Sequence, residues 1–243
     1  MRVKKFYVSS LFISLVVIFV CCQAVFADSF GTLSTTLKKG QWMMSVEGYS
    51  AVNRDLKYSD GSVESTYWGI YHGRGYGLTD RINVFAKVGY HDLRINPNPF
   101  KNEEESLKGG MAGGFYLKGI ILKEPENLFE LGIGGGFLYC MAHQNNGPKY
   151  DWREWQIGTY AGKKFGRFAP YCGIKYADAD ASLKFKQKEE DLLAGSINVE
   201  SDNKIGVFAG TNVYLNEDED IYLNCEVNFI SSIEIGAGLY YKF

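Results

Sequence analysis

The sequence has little of what marks disulfide scaffolds, metal sites and nucleic-acid binders. Of its 243 residues, 5 are proline, 5 are cysteine and 3 are histidine. After residue 27 the cysteines are Cys140, Cys172 and Cys225, an odd number without close spacing, so neither a disulfide framework nor a Cys-x-x-Cys metal site is predicted. The 26 basic and 28 acidic residues give a net charge of −2, without the basic excess of a nucleic-acid binder. We therefore expect no metal, no cofactor and no nucleic-acid partner.

Long apolar runs are also scarce, and the one that occurs lies at the N-terminus. It extends over residues 6–20, follows Arg2, Lys4 and Lys5, and is followed by the small-residue stretch that ends at Ala27. A basic head, a short apolar run and small residues in that order are typical of a secretory signal peptide. We predict a signal peptide over residues 1–27 and one domain over residues 28–243, which would not cross a membrane as helices.

Glycine and aromatic residues are abundant, at 28 glycines and 15% aromatics, and the dominant pattern after residue 40 has a period of two. Alternation of apolar and polar residues indicates half-buried β-strands. Ten strands of this kind are predicted, over residues 41–51, 67–77, 82–93, 108–121, 128–141, 152–164, 168–180, 204–215, 220–230 and 233–243.

The connections between these strands alternate in length, as in an up-and-down barrel. Short turns fall near residues 78–81, 123–127, 165–168 and 216–220, and longer loops over 53–64, 94–107, 143–151 and 183–202. Short turns at one end and longer loops at the other are typical of outer-membrane barrels. The predicted fold class is therefore an all-β, transmembrane, antiparallel up-and-down β-barrel. About ten strands are predicted, within a range of eight to twelve.

The polar face of the strands combines charged residues with glycines, which suits a narrow lumen better than a water-exposed sheet. We expect a salt-bridged network there that holds the wall together. Its predicted members are Glu47, His72, Arg74, Lys87, Lys118, Glu130, Glu154, Lys175, Glu226 and Glu234.

Aromatic residues near the strand ends predict two interfacial girdles. One contains Trp42, Tyr214, Tyr241 and Phe243, at the end with the short turns, and the other contains Tyr67, Trp68, Tyr139, Trp152 and Trp155.

The last strand resembles the C-terminal recognition strand of bacterial outer-membrane β-barrels, which end in phenylalanine preceded by apolar or aromatic residues at alternating positions. Those positions are filled here by Ile235, Ala237, Leu239, Tyr241 and Phe243. The resemblance implies a Gram-negative-type outer membrane with its lipid and lipopolysaccharide, and insertion by the barrel assembly machinery. It implies no activity, because such barrels include pores, enzymes, adhesins and structural proteins.

The function expected from these features is non-enzymatic: a monomeric structural barrel or a narrow channel for small solutes. One alternative is a hydrolase at the rim, as in omptin proteases, for which Asp178, Asp180 and His91 are the weak catalytic candidates. A second alternative is a surface-binding or adhesin-like barrel that acts through its extracellular loops.

Overall fold

The computed structural model describes residues 36–59, 61–96, 105–124, 129–143, 149–185, 195–230 and 232–243. The predicted signal peptide, residues 1–27, lies outside the described residues. In the part of the chain that is described, no helix has the length and apolar character needed to cross a membrane.

Eleven β-strands make up the described chain. They are β1 (Trp42–Tyr58), β2 (Gly61–Gly77), β3 (Ile82–Asn96), β4 (Glu105–Glu124), β5 (Phe129–His143), β6 (Lys149–Lys163), β7 (Phe168–Phe185), β8 (Gly195–Ser201), β9 (Ile205–Tyr214), β10 (Ile221–Phe229) and β11 (Ile233–Lys242).

Antiparallel pairing joins these strands into one closed sheet. Neighbours in sequence pair throughout the sheet except at β8 and β9, and β11 pairs with β1 to complete the circle. Both β8 and β9 pair with β7, so they are successive parts of one wall strand. The wall is therefore a closed ten-stranded antiparallel barrel, which confirms the predicted fold class.

The barrel changes its strand number along its axis. Strands β10 and β11 have only 9 and 10 residues, and beyond them β8 reaches β1 directly, with Ser201 opposite Leu56 and Glu200 opposite Lys57. An ion pair between Lys57 and Asp202 adjoins this contact. Strands β1–β8 therefore continue as an eight-stranded extension at the end of the barrel opposite the short turns. We call the two ends of the barrel the loop end and the turn end.

All four of the longer loops were predicted too long for this reason, since β3 and β4 also extend into loop 94–107 and β6 begins within loop 143–151. The β1–β2 hairpin stays paired up to Tyr58 and Gly61, within the predicted loop 53–64. Likewise, β8 lies within the predicted loop 183–202. A β-bulge between Ala51 and Arg54 interrupts the period-two pattern of β1, so the alternation that predicts a strand is lost although the strand continues.

Candidate functional site

The barrel interior holds most of the charged residues that were predicted to line it. Eight of the ten have side chains on the inner face of the wall, namely Glu47, Lys87, Lys118, Glu130, Glu154, Lys175, Glu226 and Glu234. Except for Glu130, they are at most 8% exposed. Lys118 and Glu130 form an ion pair of 3.3 Å across the β4–β5 hairpin.

The other two predicted lumen residues, His72 and Arg74, are on the opposite face of β2. Both are exposed on the outer surface of the barrel. The inward positions of β2 are taken by Tyr71, opposite Glu47, and by Gly73, opposite Lys87. The Lys87 ammonium lies 4.8 Å from the centre of the Tyr71 ring, so this tyrosine occupies the interior position that sequence reasoning had reserved for polar residues.

An ion-pair layer crosses the middle of the barrel and is centred on Arg54. Its guanidinium donates to Glu154 at 2.9 Å and lies 3.7 Å from Glu234. The same guanidinium donates to the Ser201 hydroxyl at 3.0 Å, and Lys175 lies 3.6 Å from Glu234. Two cations and two carboxylates, each at most 3% exposed, therefore form a neutral group that joins β1, β6, β7 and β11 across the lumen.

Arg54 is a member of this layer that the sequence did not reveal. By the alternation of Ser45, Glu47 and Ala51, an even-numbered residue of β1 should point outward. The bulge after Ala51 shifts the alternation by one residue, and Arg54 is consequently 1% exposed inside the wall. A strand register, rather than a residue pattern, is needed to find it.

Between the ion-pair layer and the turn end, buried tyrosines fill the lumen together with polar side chains. The Tyr171 hydroxyl donates to Glu226 at 2.7 Å and accepts from Asn224 at 2.8 Å, and the Tyr160 hydroxyl donates to Glu130. The apolar members of this lower cluster are Leu37, Met43, Phe85, Tyr116, Tyr160, Tyr171, Phe208, Tyr222 and Tyr240. The hydroxyls of Tyr160 and Tyr171 thus satisfy carboxylate and amide groups of the lumen while their rings fill volume.

The segment that precedes β1 folds back into the turn end of the barrel. Leu37 is fully buried there, and its backbone N–H donates to the Asn83 side chain at 3.1 Å, which in turn donates to the Leu37 carbonyl at 3.0 Å. Thr36 donates to Glu130 at 2.7 Å. A cavity of about 360 Å³ remains beside this segment, open at the turn end and bordered by Lys123, Lys242 and other polar residues. The segment therefore narrows the mouth of the barrel.

Toward the loop end, the interior contains an apolar core that reaches down to the ion-pair layer. It is made of Tyr49, Ala51, Leu56, Val63, Tyr67, Tyr71, Leu93, Ile95, Ala112, Leu138, Cys140, Tyr150, Trp152, Ala179, Ala181, Leu183 and Val199. These residues are 0–6% exposed, so the upper interior is packed like that of a soluble domain.

The polarity of both faces reverses along single strands. On β7, Cys172, Ile174 and Tyr176 point outward and are followed on the same face by Asp178, Asp180, Ser182 and Lys184. The inward face changes in the opposite sense, from Lys175 to Ala177, Ala179, Ala181 and Leu183. On β3, outward Val88 and Tyr90 are likewise followed by outward Asp92 and Arg94. The outward residues are therefore apolar on the turn-end side of this change and polar on its loop-end side.

Two rings of aromatic pairs border the apolar part of the outer surface. The turn-side ring contains Trp42 against Tyr76, with ring centres 4.7 Å apart, and Tyr241 against Phe243, 5.7 Å apart. The loop-side ring contains Trp68 against Tyr90, 5.5 Å apart, and Trp155 against Tyr176, 5.0 Å apart. The second ring coincides with the reversal of polarity.

Three residues predicted for these girdles are not on the outer surface. Tyr67 and Trp152 are 2% and 1% exposed inside the upper core, and Tyr214 packs against the lower cluster. Tyr67 shares the inward face of β2 with Tyr71, and its hydroxyl donates to Glu234 at 3.1 Å and accepts from Arg54 at 3.0 Å.

The weak catalytic candidates are not brought together. His91 is 1% exposed inside the barrel, where its Nδ1 lies 3.3 Å from the Tyr150 hydroxyl. Asp178 and Asp180 lie on the outer face of β7, so the wall separates them from His91. The Lys204 ammonium donates to Asp178 at 2.9 Å, and this hydrogen bond raises the pKa of Lys204. No group of three or more metal-ligating side chains is found among the described residues.

Comparison with known proteins returned barrels of the outer membrane at low identity. No protein-family model and no curated protein matches the chain. Among solved structures, it is similar to the outer membrane protein OprG from Pseudomonas aeruginosa, with 11% identity over 86% of this chain and 98% of that chain and a TM-score of 0.43. It is also similar to the outer membrane protease OmpT from Escherichia coli, with 12% identity, 88% and 100% coverage and a TM-score of 0.44. The strand pairing of this chain, rather than these similarities, establishes its fold.

Proposed function

We propose that this chain is a non-enzymatic outer-membrane barrel protein that is closed to solutes and carries a folded extension on the extracellular side. The reversal of polarity along β3 and β7 carries this proposal. Such a reversal is required if the same strands pass from hydrocarbon into water, because lipid selects apolar outward residues and water selects polar ones. The turn end then faces the periplasm and the loop end faces outward.

The filled interior supports a structural role over a channel. The ion-pair layer and the buried tyrosines cross the lumen at its middle, and the apolar core closes the extension above them. Ten strands also enclose a much narrower lumen than the 16–18 strands of water-filled porins. Sealing of the barrel by these side chains explains why so many large side chains are buried.

Three further features belong to the same proposal. Export by a signal peptide over residues 1–27 delivers the chain to the periplasm, and the last strand, with Phe243 at its end, serves as the signal for the barrel assembly machinery. The inserted barrel is a monomer surrounded by phospholipid and lipopolysaccharide.

Conductance in a planar bilayer tests the closed state directly. We expect no stepwise current from the wild-type barrel, and we expect ion conductance from a Tyr67→Ala, Trp152→Ala double variant that removes two interior rings. Trp155→Ala removes an aromatic ring from the outer face and serves as the control that stays silent. Steady single-channel steps from the wild type would show instead that the barrel is a narrow channel.

Membrane insertion is tested separately on unboiled gels and by flotation with liposomes. A folded barrel should migrate differently before and after boiling and should float with the vesicles. A soluble protein without a heat-dependent shift would reject the outer-membrane proposal as a whole.

A further inference from the structure

His72 and Arg74 stand out on the outer surface of the barrel. Between the two aromatic rings, the outward residues of the described strands are apolar, glycine or small and uncharged, with these two as the exceptions. They are two residues apart on β2 and therefore share one face, with their Cα atoms about 7 Å apart along the strand. No hydrogen bond or ion pair joins either side chain to another described residue.

Their surroundings place them close to one edge of the apolar band. In the strand register, Arg74 lies between Met44 and Ala86, and His72 lies between Val46 and Val88. Two residues from Arg74 toward the turn end, Tyr76 packs against Trp42 in the turn-side ring. Arg74 is therefore one outward position from the boundary of the band, and His72 is one further position inside it.

A cation on the lipid face of a barrel is costly at the bilayer midplane, and the cost falls toward the interface. Arg74 reduces this cost if its long side chain extends to the headgroups. The headgroups of phospholipids carry phosphate, and the guanidinium of arginine is the side-chain group best suited to bind it. Acidic groups that could otherwise pair with Arg74 are missing from the neighbouring outward positions, which are Met44, Ala86 and Tyr76.

The chemistry of a phospholipid changes with depth in the same order as these two side chains. Its phosphodiester lies at the surface, and its acyl ester carbonyls lie deeper, before the hydrocarbon begins. A guanidinium at the shallow position matches the phosphodiester, and an imidazole N–H at the deep position can donate to an ester carbonyl. Val46 and Val88 beside His72 then border the acyl chains.

We propose that His72 and Arg74 form a binding site for one phospholipid of the periplasmic leaflet, with Arg74 on the phosphodiester and His72 on an ester carbonyl. This inference rests on the proposed outer-membrane location. It adds a specific lipid contact that a merely apolar outer surface would not provide.

Native mass spectrometry of the full-length barrel, released from detergent micelles after addition of phosphatidylglycerol, tests the site. We expect one retained phospholipid per wild-type barrel, about tenfold weaker retention for Arg74→Gln through loss of the charge-assisted contact, and a smaller loss for His72→Leu. Arg153→Gln is the matched control, because Arg153 also points outward but lies beyond the loop-side ring. Its lipid retention should equal that of the wild type.

Two competitors identify what is recognised. Diacylglycerol, which lacks the phosphate, should bind no better to the wild type than to Arg74→Gln, and inorganic phosphate should not displace the phospholipid. Equal retention of the phospholipid by the wild type and by Arg74→Gln would overturn the proposal. Displacement of the phospholipid by inorganic phosphate would also overturn it, as would a spectrum that shows a protein dimer and no protein–lipid adduct. If the variants still shift on heating and float with liposomes, such a result rejects the lipid site and leaves the outer-membrane proposal intact.

Discussion

The two halves of this barrel follow opposite rules of polarity although strands β1–β7 run through both. In the half below the loop-side ring, β7 presents Ile174 outward and Lys175 inward. In the extension, the same strand presents Asp180 outward and Ala181 inward. Strand β7 exchanges its neighbour β9 for β8 between the two halves, but β3 keeps the same neighbours and shows the same reversal. The proposed change of medium outside the wall accounts for both strands.

The two interiors are also stabilised by different forces. The membrane-level half encloses hydrogen-bonded carboxylates, amides and tyrosine hydroxyls, whereas the extension encloses an apolar core. In water, burial of apolar side chains drives folding. In lipid, an apolar side chain gains little by leaving the outer surface, so buried polar contacts and packing have to hold the wall together. Alternation therefore identifies a strand, and the polarity of its outer face identifies the solvent.

Removal of Arg54 is expected to break the junction of the two halves and to have the largest effect. Arg54→Ala leaves Glu154 and Glu234 buried without their shared guanidinium. Breaking a buried ion pair in this way costs about 3–5 kcal/mol. Urea unfolding of the barrel in liposomes measures this loss as a lower free energy of unfolding.

The matched control for this substitution is Arg153→Ala, one position from Glu154 in sequence but exposed on the outer face. Its effect should stay within about 0.5 kcal/mol. A loss below about 1 kcal/mol for Arg54→Ala would show that the halves are held together without the ion-pair layer.

The boundary between the two media can be sharpened with one substitution at two places on β7. Cys172→Arg puts a charge at the centre of the lipid-facing surface of β7, midway between Phe168 and Tyr176, and should cost about 2–4 kcal/mol. Ser182→Arg, on the same face but beyond the loop-side ring, should be nearly neutral. Urea unfolding in liposomes measures the loss of unfolding free energy for each variant. Equal losses would contradict a change from lipid to water along β7.

The sequence predicted the strands better than it predicted the interior. Periodicity located the ten wall strands, because a face buried against any core leaves a period of two whichever medium lies outside. It failed for Arg54, since a bulge shifts the alternation without a marker in the sequence. It also failed for His72 and Arg74, since tyrosine and glycine occupy the inward positions of β2.

Tyrosine was the main source of error in the predicted site. Tyr67 was assigned to an outer girdle but is buried in the lumen. Tyr160 and Tyr171, which were assigned to no site, are buried there as well. A tyrosine ring suits lipid interfaces and its hydroxyl suits buried carboxylates, so residue type alone does not distinguish the two positions. The residues on the neighbouring strands determine whether a tyrosine ring fits into the lumen, because an inward glycine on such a strand leaves room for the ring.

That pairing of glycine with tyrosine can be tested in the membrane-level half. A Cβ atom at Gly210 would lie 2.5 Å from the Tyr171 ring, so Gly210→Ala forces the ring to move. Overpacking of this kind costs about 1–3 kcal/mol. At Gly113, on the outer face, the nearest heavy atom to an added Cβ is 3.6 Å away, so Gly113→Ala serves as the neutral control. If the unfolding midpoint of Gly210→Ala falls no further than that of Gly113→Ala, the Tyr171 ring can move aside without cost and the proposed pairing is wrong.

The smallest effect is expected at the water-facing surface of the extension, where Lys204 pairs with Asp178. Their side chains are 31% and 22% exposed, and screened pairs of this kind contribute at most about 1 kcal/mol. Because the hydrogen bond to Asp178 raises the pKa of Lys204, the contribution is complete below the usual lysine pKa of about 10.4 and disappears as the pH rises through the higher value in the folded barrel. A double-mutant cycle of Lys204→Met and Asp178→Asn should therefore show a small coupling at pH 7 that persists to pH 9, weakens in high salt and vanishes in strong alkali. A coupling of several kcal/mol, insensitive to salt, would mean that this part of the surface is shielded from water and that the extension does not face an aqueous medium.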